Sequence, residues 1–437
     1  MMTHYLFSRY WPIIFFILVS TPFASLRAQT DSLTRSYEIQ FGSFPNIESG
    51  AKSTIGLTSL AFDQVNHVLQ QSKYNNVFTR SLNFLGVQFY LGAFAYGTLP
   101  HEYFGHYARA QEFGIQPNGY EIFFPSFGGN VPFSIIYETD AIHRQMISAA
   151  GPEVTTQIAY EATKTLYSGE SVPSYYGMYL LGGKLVDSYI YARNDLDAFV
   201  DDPAQYLRDA EDYFAEYNVP NDPVSYLLAL AEQYGYYDEL INPEDTWATF
   251  PADPSVLIND FVRDQRDRIR RAYLLQLLDP AILYVLYGNY RYLVKDELRF
   301  KPFMFRVQDV QFMPSIRANL GHLGVENYYD LFVVLPGLSA FNVYYRHGGN
   351  QEDQLSGAGI EWRNLSLTNK ISLTAQLDYW QDEQARFNGF AMLYYPIAQR
   401  WALSGSVGYK SEGSLMGKPF GEELYGYGGL RWQVQYQ

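Results

Sequence analysis

The stretch TLPHEYFGHYARAQEFG, residues 98–114, places two imidazoles and a carboxylate within six residues: His101, Glu102 and His106. Imidazole nitrogens are common ligands of divalent metals, and a carboxylate beside them can take a proton from water. Two histidines four apart on a helix share a face and hold zinc together. These stand five apart, which at about 100° per residue leaves them roughly 140° apart on an ordinary α-helix. One wide turn, hydrogen-bonded i→i+5, would bring them together, and such turns occur mostly at functional sites. Gly105, inside the turn, would ease the deformation, and Pro100 would start a helix or kink one already begun. Of only seven histidines in the chain, two flank this glutamate in an otherwise apolar stretch, which favours a metal site over ordinary polar residues at a helix start. Because the chain has no cysteine, zinc would have to be held by histidines and carboxylates.

HEYFGH resembles the HExxGH pattern of the dipeptidyl peptidase III family of zinc peptidases, a match of six residues. The wider neighbourhood is similar to the site-2 protease family of zinc metalloproteases. There an apolar helix runs into the histidine motif, followed by a β-hairpin, an AGPxxN-like segment and a later aspartate. This chain has the apolar run 82–99, the motif, a hairpin pattern at 119–136 and QMISAAGPEVTTQIA from Gln145 to Ala159. It departs in the extra residue between the histidines, in Thr155 and Thr156 where the asparagine would stand, and in Asp279-Pro280 where the family has Asp-Gly. The resemblance implies that His101 and His106 bind zinc and that Glu102 is the general base. For the third ligand the peptidase III pattern gives Glu153, and the site-2 pattern gives Asp279. Glu153 is preferred because it opens an apolar helix, where a carboxylate needs a partner; Asp187, in another apolar segment, is a further candidate. His143 is either a transition-state donor or, the favoured reading, an interface residue beside Arg144.

The elements that must position these groups form a mostly helical region, residues 62–296. It includes the apolar segments 82–99, 175–192 and 271–293 and an acidic insertion, 195–270, that reads as solvated amphipathic helices. In the hairpin at 119–136, Gly128, Gly129 and Asn130 are expected to form the turn. From residue 297 onward the pattern changes period. In ISLTAQLDYW, Ile371, Leu373, Ala375, Leu377 and Tyr379 alternate with Ser372, Thr374, Gln376 and Asp378, a strand with one wet face. Similar runs recur at hairpin spacing to the end of the chain. They predict a C-terminal antiparallel β-barrel of about eight to ten strands over 297–437, to which segment 29–61 could add strands from 37–46 and 53–61. The fold class is therefore α+β: a helical, zinc-peptidase-like region joined to a barrel.

The first 28 residues read as an export signal, with Arg9 before an apolar run and a cut after Ala28. The protein is expected outside the cytoplasm, in the outer membrane first and the periplasm second. Aromatic residues make up 17% of the chain, with 40 tyrosines, and a final strand ends in Tyr436; both resemble outer-membrane β-barrel proteins and favour a membrane barrel over a soluble one. The net charge of −15 argues against nucleic acid as a partner. The expected partners are a peptide or membrane-protein substrate and outer-membrane lipid, and the expected cofactor is Zn2+. The alternative is a non-catalytic barrel serving as channel, anchor or assembly component, its histidines structural.

Overall fold

Alternating sequence patterns become an 11-stranded antiparallel sheet. The computed structural model describes residues 33–42, 46–117, 121–123, 128–130, 140–213, 221–237, 253–336, 340–368 and 370–436; the export signal expected at 1–28 lies outside them. In chain order the strands are β1 (Leu33–Gly42), β2 (Glu121–Phe123), β3 (Gly128–Asn130), β4 (Val172–Pro173), β5 (Arg299–Phe300), β6 (Phe305–Val307), β7 (Val310–Gly321) and β8 (Gly324–Val334). There follow β9 (Ala340–Gly349), β10 (Gln354–Ser366), β11 (Ser372–Gln381), β12 (Ala385–Ala398), β13 (Trp401–Lys410), β14 (Glu423–Tyr425) and β15 (Tyr427–Tyr436). The main sheet runs β1-β15-β13-β12-β11-β10-β9-β8-β7-β6, with β14 beside β13. Sequential hairpins make most of it, while β1 crosses from the N-terminal side to pair with β15, Tyr37 opposite Trp432. Among the described residues β1 and β6 do not pair, so the sheet is barrel-like with an open seam.

The helices are α1 (Ile47–Gln71), the continuous run α2 (77–112), α3 (Ala141–Leu166), the continuous run α4 (176–201), α5 (Pro203–Tyr213), α6 (Asp222–Gln233), α7 (Asp260–Gln276) and α8 (Pro280–Lys295). The segment 53–61, expected to be strand, lies in α1. Asn46 caps that helix by accepting from the Ser49 amide. Its small residues let it lie on β1: a Cβ on Gly56 would stand 2.0 Å from the Glu38 carbonyl. In the hairpin of β2 and β3, Glu121 pairs with Asn130 and Phe123 with Gly128, so the glycines belong to the second strand and not to the turn. Pro280 ends one apolar helix and starts another: Asp279 caps α8 by accepting from the Ala281 amide.

The wet face expected of the strands is turned inward. Leu377 and Tyr379 are 57% and 53% exposed, while Thr374 and Asp378 of the same strand are 7% and 5% exposed. Arg317, Asp330, Asn342, Arg346 and Glu361 are buried likewise, whereas Leu331, Val343, Tyr345, Leu393 and Val407 face outward. This inversion is the arrangement of a membrane barrel, apolar toward lipid and polar toward the lumen. The interior is filled: α3 runs along it and packs on α1, α2, α4, α6 and β7. Inward-facing charges find partners there, Lys164 with Glu361 at 3.1 Å and Arg317 with Asp330 at 2.9 Å. Helices and strands thus share cores: Tyr160 of α3 and Tyr167 just after it join Tyr328, Phe332 and Tyr344 of the sheet in one cluster.

Candidate metal centre

The helical run α2 contains three stretches of π-type turns, Phe84–Leu91, Ala93–Thr98 and His101–Tyr107. Pro100, which has no amide hydrogen to give, lies between the second and third of these. The wide turn expected from the five-residue spacing is present in the last. In i→i+5 geometry His106 follows His101 by about one turn, and their ring centroids are 4.9 Å apart. Gly105 serves a further purpose beyond easing the turn. A Cβ there would lie 2.8 Å from both the Ala150 carbonyl and Gly151 Cα, so its bareness lets α2 cross α3 closely. Gly151 faces the imidazoles. A Cβ on it would stand 2.3 Å from His101 Nε2 and 2.5 Å from His106 Nε2, so the AGP segment keeps open the space between the two nitrogens.

The third group is Asp222, the first residue of α6. Its Oδ2 lies 2.9 Å from His101 Nε2 and 3.1 Å from His106 Nε2. One ligand atom from each of His101, His106 and Asp222 lies within 4.8 Å of the others. Both histidines are braced from behind. His106 Nδ1 donates to the Ile147 carbonyl at 2.7 Å, which leaves Nε2 facing the centre. His101 Nδ1 stands 3.7 Å from Asp187 Oδ1, and Thr155 donates to the other oxygen of that carboxylate. A carboxylate or carbonyl on the far nitrogen is how metal-binding histidines are commonly oriented. The Tyr191 hydroxyl donates to Asp222 Oδ2 at 3.5 Å.

The electrostatics favour a positive charge at this point. Burial works against a charged His101, but the hydrogen bond to Asp222 and the nearby charge of Asp187 outweigh it and push the imidazole up to about 10. Burial opposes charge at Asp222 too, yet the two histidines hold its carboxyl below the usual range. Glu102 is 5% exposed, and burial raises its carboxyl above the usual value while His101 and His106 pull the other way. Among the described residues it forms no ion pair within 4 Å, so its carboxylate is uncommitted. Two imidazole nitrogens and one carboxylate oxygen make a donor set that could hold a divalent metal ion.

Glu153, the third ligand expected from the sequence, is not among the three groups that converge. Glu153 lies on α3 but faces away from the histidines; its Oε2 is 2.9 Å from Arg109 and its Oε1 accepts from the Gly417 amide at 2.7 Å. Asp279 is bound to Lys184 and Ser315 and caps α8. Asp187 approaches His101 from behind and is not one of the three converging groups. His143 stacks on Phe113 at 4.2 Å and pairs with Asp140, away from the centre. Asp222 was hidden because it sits in the acidic stretch read as a solvated insertion. In fact α6 buries Pro223, Val224 and every residue from Tyr226 to Ala231. The sequence cue was the apolar run VSYLLALA directly after Asp222-Pro223, a carboxylate at the mouth of a core helix.

No protein-family model matches this chain, and no curated protein matches it. Among solved structures it is similar to OmpTdeltaL8, a loop L8 deletion mutant of OmpT, described as an outer membrane protein of Vibrio cholerae. The identity is 13%, over 30% of this chain and 51% of that one, with a TM-score of 0.22. The chain thus spans about half the length of that protein, a likeness too slight to carry function.

Proposed function

We propose that the protein is a zinc-dependent metallopeptidase of the outer membrane, with His101, His106 and Asp222 as ligands and Glu102 as general base. The observation that carries this is the convergence of His101 Nε2, His106 Nε2 and Asp222 Oδ2 beside a buried, uncommitted glutamate. A zinc ion held by these three groups supplies a Lewis acid that polarises the scissile carbonyl and makes water a stronger nucleophile at neutral pH. The chain's own residues do the rest. Glu102 takes the proton of the attacking water and returns it to the departing amine nitrogen, a role to which a carboxyl raised by burial is suited. Ile147 and Asp187 keep the imidazoles turned toward the centre, and Gly151 keeps the space before them clear. The membrane setting rests on the inverted sheet. Against a channel stands the packing of α3, with its ion pairs, against the inner face of the sheet.

The test is elemental analysis of the purified protein together with peptide hydrolysis. Wild type and Glu102→Gln should both carry zinc, about one per chain by the site's ligand count, and only wild type should cleave a peptide library. His106→Ala should lose both metal and activity. Wild type that takes up no zinc when metal is supplied, or Glu102→Gln that cleaves as fast as wild type, would remove the peptidase reading.

A further inference from the structure

Among the described residues no helix is long and apolar enough to cross a membrane by itself. Yet the helices at the sheet's open seam expose some of the largest apolar side chains. On α8, Leu283 and Leu286 are 67% and 72% exposed, and Tyr287, Tyr290 and Val294 continue the same face. Its opposite face buries Ala281, Tyr284, Val285, Gly288 and Tyr292. Beside it α2 exposes Phe78, Leu82, Leu85 and Phe89. Asn83 ties these helices together, its amide donating at 2.8 Å to Asn66 of α1 and at 2.6 Å to the Tyr292 hydroxyl of α8. At one end of the group α1 lies on β1; at the other, the Tyr284 hydroxyl donates at 2.6 Å to the Phe303 carbonyl just before β6. The helices thus touch the sheet at both of its ends, next to β1 and next to β6.

We propose that α2 and α8 form part of the lipid-facing wall, closing the sheet's seam so that one bilayer band surrounds a mixed barrel of strands and helices. This rests on the membrane reading of the sheet given above. The dimensions agree: α8 has 16 residues, about 24 Å at 1.5 Å per residue, against an apolar band of about 25 Å in outer-membrane barrels. A free-standing span needs apolar residues all round, whereas a wall helix needs them on one face. Exposed charge on α8 lies in its last turns, where Arg291, 31% exposed, pairs with Glu297. Lys295 and Asp296 end α8, where Asn75 at the start of α2 donates to Asp296 at 2.8 Å. At the other rim α7 changes within one turn from exposed Arg270 and Arg271 to exposed Leu274, with Leu278 beyond. Within the band Arg80 is turned inward, its Nε donating at 3.1 Å to the Leu293 carbonyl. Lipid is the occupant because the exposed apolar surface covers both the sheet's outer face and the helical seam. A protein partner would cover one side; a bilayer covers every side at once.

The absence of cysteine from the chain allows a direct test with single-cysteine variants of the full protein. Nitroxide labels would be placed at Leu85→Cys and Leu286→Cys on the helices, at Leu377→Cys on the sheet's outer face, and at Val256→Cys, a 59% exposed residue near the acidic region. In phosphatidylcholine vesicles, collision with dissolved oxygen should exceed collision with a water-soluble nickel chelate at positions 85, 286 and 377, with the ratio inverted at 256. If positions 85 and 286 follow 256 while 377 follows lipid, the mixed wall is wrong although the sheet is in the membrane. If 377 also follows 256, the membrane reading falls and this proposal with it. None of these readouts depends on zinc or on peptidase activity, so loss of the peptidase reading would leave them interpretable.

Discussion

Gly151→Ala places one methyl group where the account says a metal must sit. The added Cβ would lie 2.3 Å from His101 Nε2 and 2.5 Å from His106 Nε2. Zinc–nitrogen bonds are about 2.0–2.1 Å, so methyl and ion compete for the same volume. Even if only one imidazole is displaced, the loss is large. Zinc sites bind with about 10–16 kcal/mol shared over four ligands, roughly 2.5–4 kcal/mol each, or about 10²–10³-fold in affinity. The strain of overpacking adds about 1–3 kcal/mol of destabilisation, so folding must be followed by circular dichroism alongside metal binding. The assay is a zinc titration against a chelator of known affinity. Gly97→Ala, on the histidine-bearing run α2, serves as control, since a Cβ at that glycine meets nothing within 4 Å. A folded Gly151→Ala protein that binds zinc as tightly as wild type would show that the two Nε2 atoms do not converge on an ion, and the geometric argument would fail.

Other substitutions separate the ligands from their neighbours. Asp222→Ala should weaken zinc binding by about 10²–10³-fold in the same titration, the worth of one ligand. Asp187→Asn, acting behind His101, should weaken it by about 10–100-fold, and a change as large as that of Asp222→Ala would make it a ligand instead. Glu153→Ala takes one of two carboxylates from buried Arg109, which keeps Glu112, and leaves the Gly417 amide without its acceptor; it should cost about 1–3 kcal/mol in denaturant unfolding, while the folded fraction keeps its zinc. Tyr191→Phe removes only the hydroxyl beside Asp222; zinc content should be unchanged, and any effect should fall on peptide turnover.

The strands were legible in the sequence because a period of two survives whichever face is buried. Which face is buried was not legible from alternation alone: Leu377 and Asp378 read the same in a soluble sheet and in one turned apolar side out. Segment 53–61 misled because its Ser, Thr and Ile residues suit a strand, while the close approach of Gly56 to Glu38 that makes it a helix on β1 is a tertiary fact. At the site, the histidine spacing carried the wide turn in itself, since no ordinary helix brings residues five apart together. The third ligand was different in kind. Glu153, Asp187, Asp222 and Asp279 are all acidic residues at or in apolar segments, and what sorts them is the cation each meets in space. Arg109 claims Glu153 and Lys184 claims Asp279. Asp222, far downstream, reaches the histidines only through the fold that sets α6 against α3.

The central claim is that His101, His106 and Asp222 share one metal ion, and zinc K-edge X-ray absorption of the purified protein tests it most directly. The account predicts a first shell with two imidazoles at about 2.0–2.1 Å and a carboxylate oxygen at about 2.0–2.2 Å, with imidazole scattering reduced in His106→Ala. A zinc shell without imidazole scattering, or one unchanged by that substitution, would contradict it.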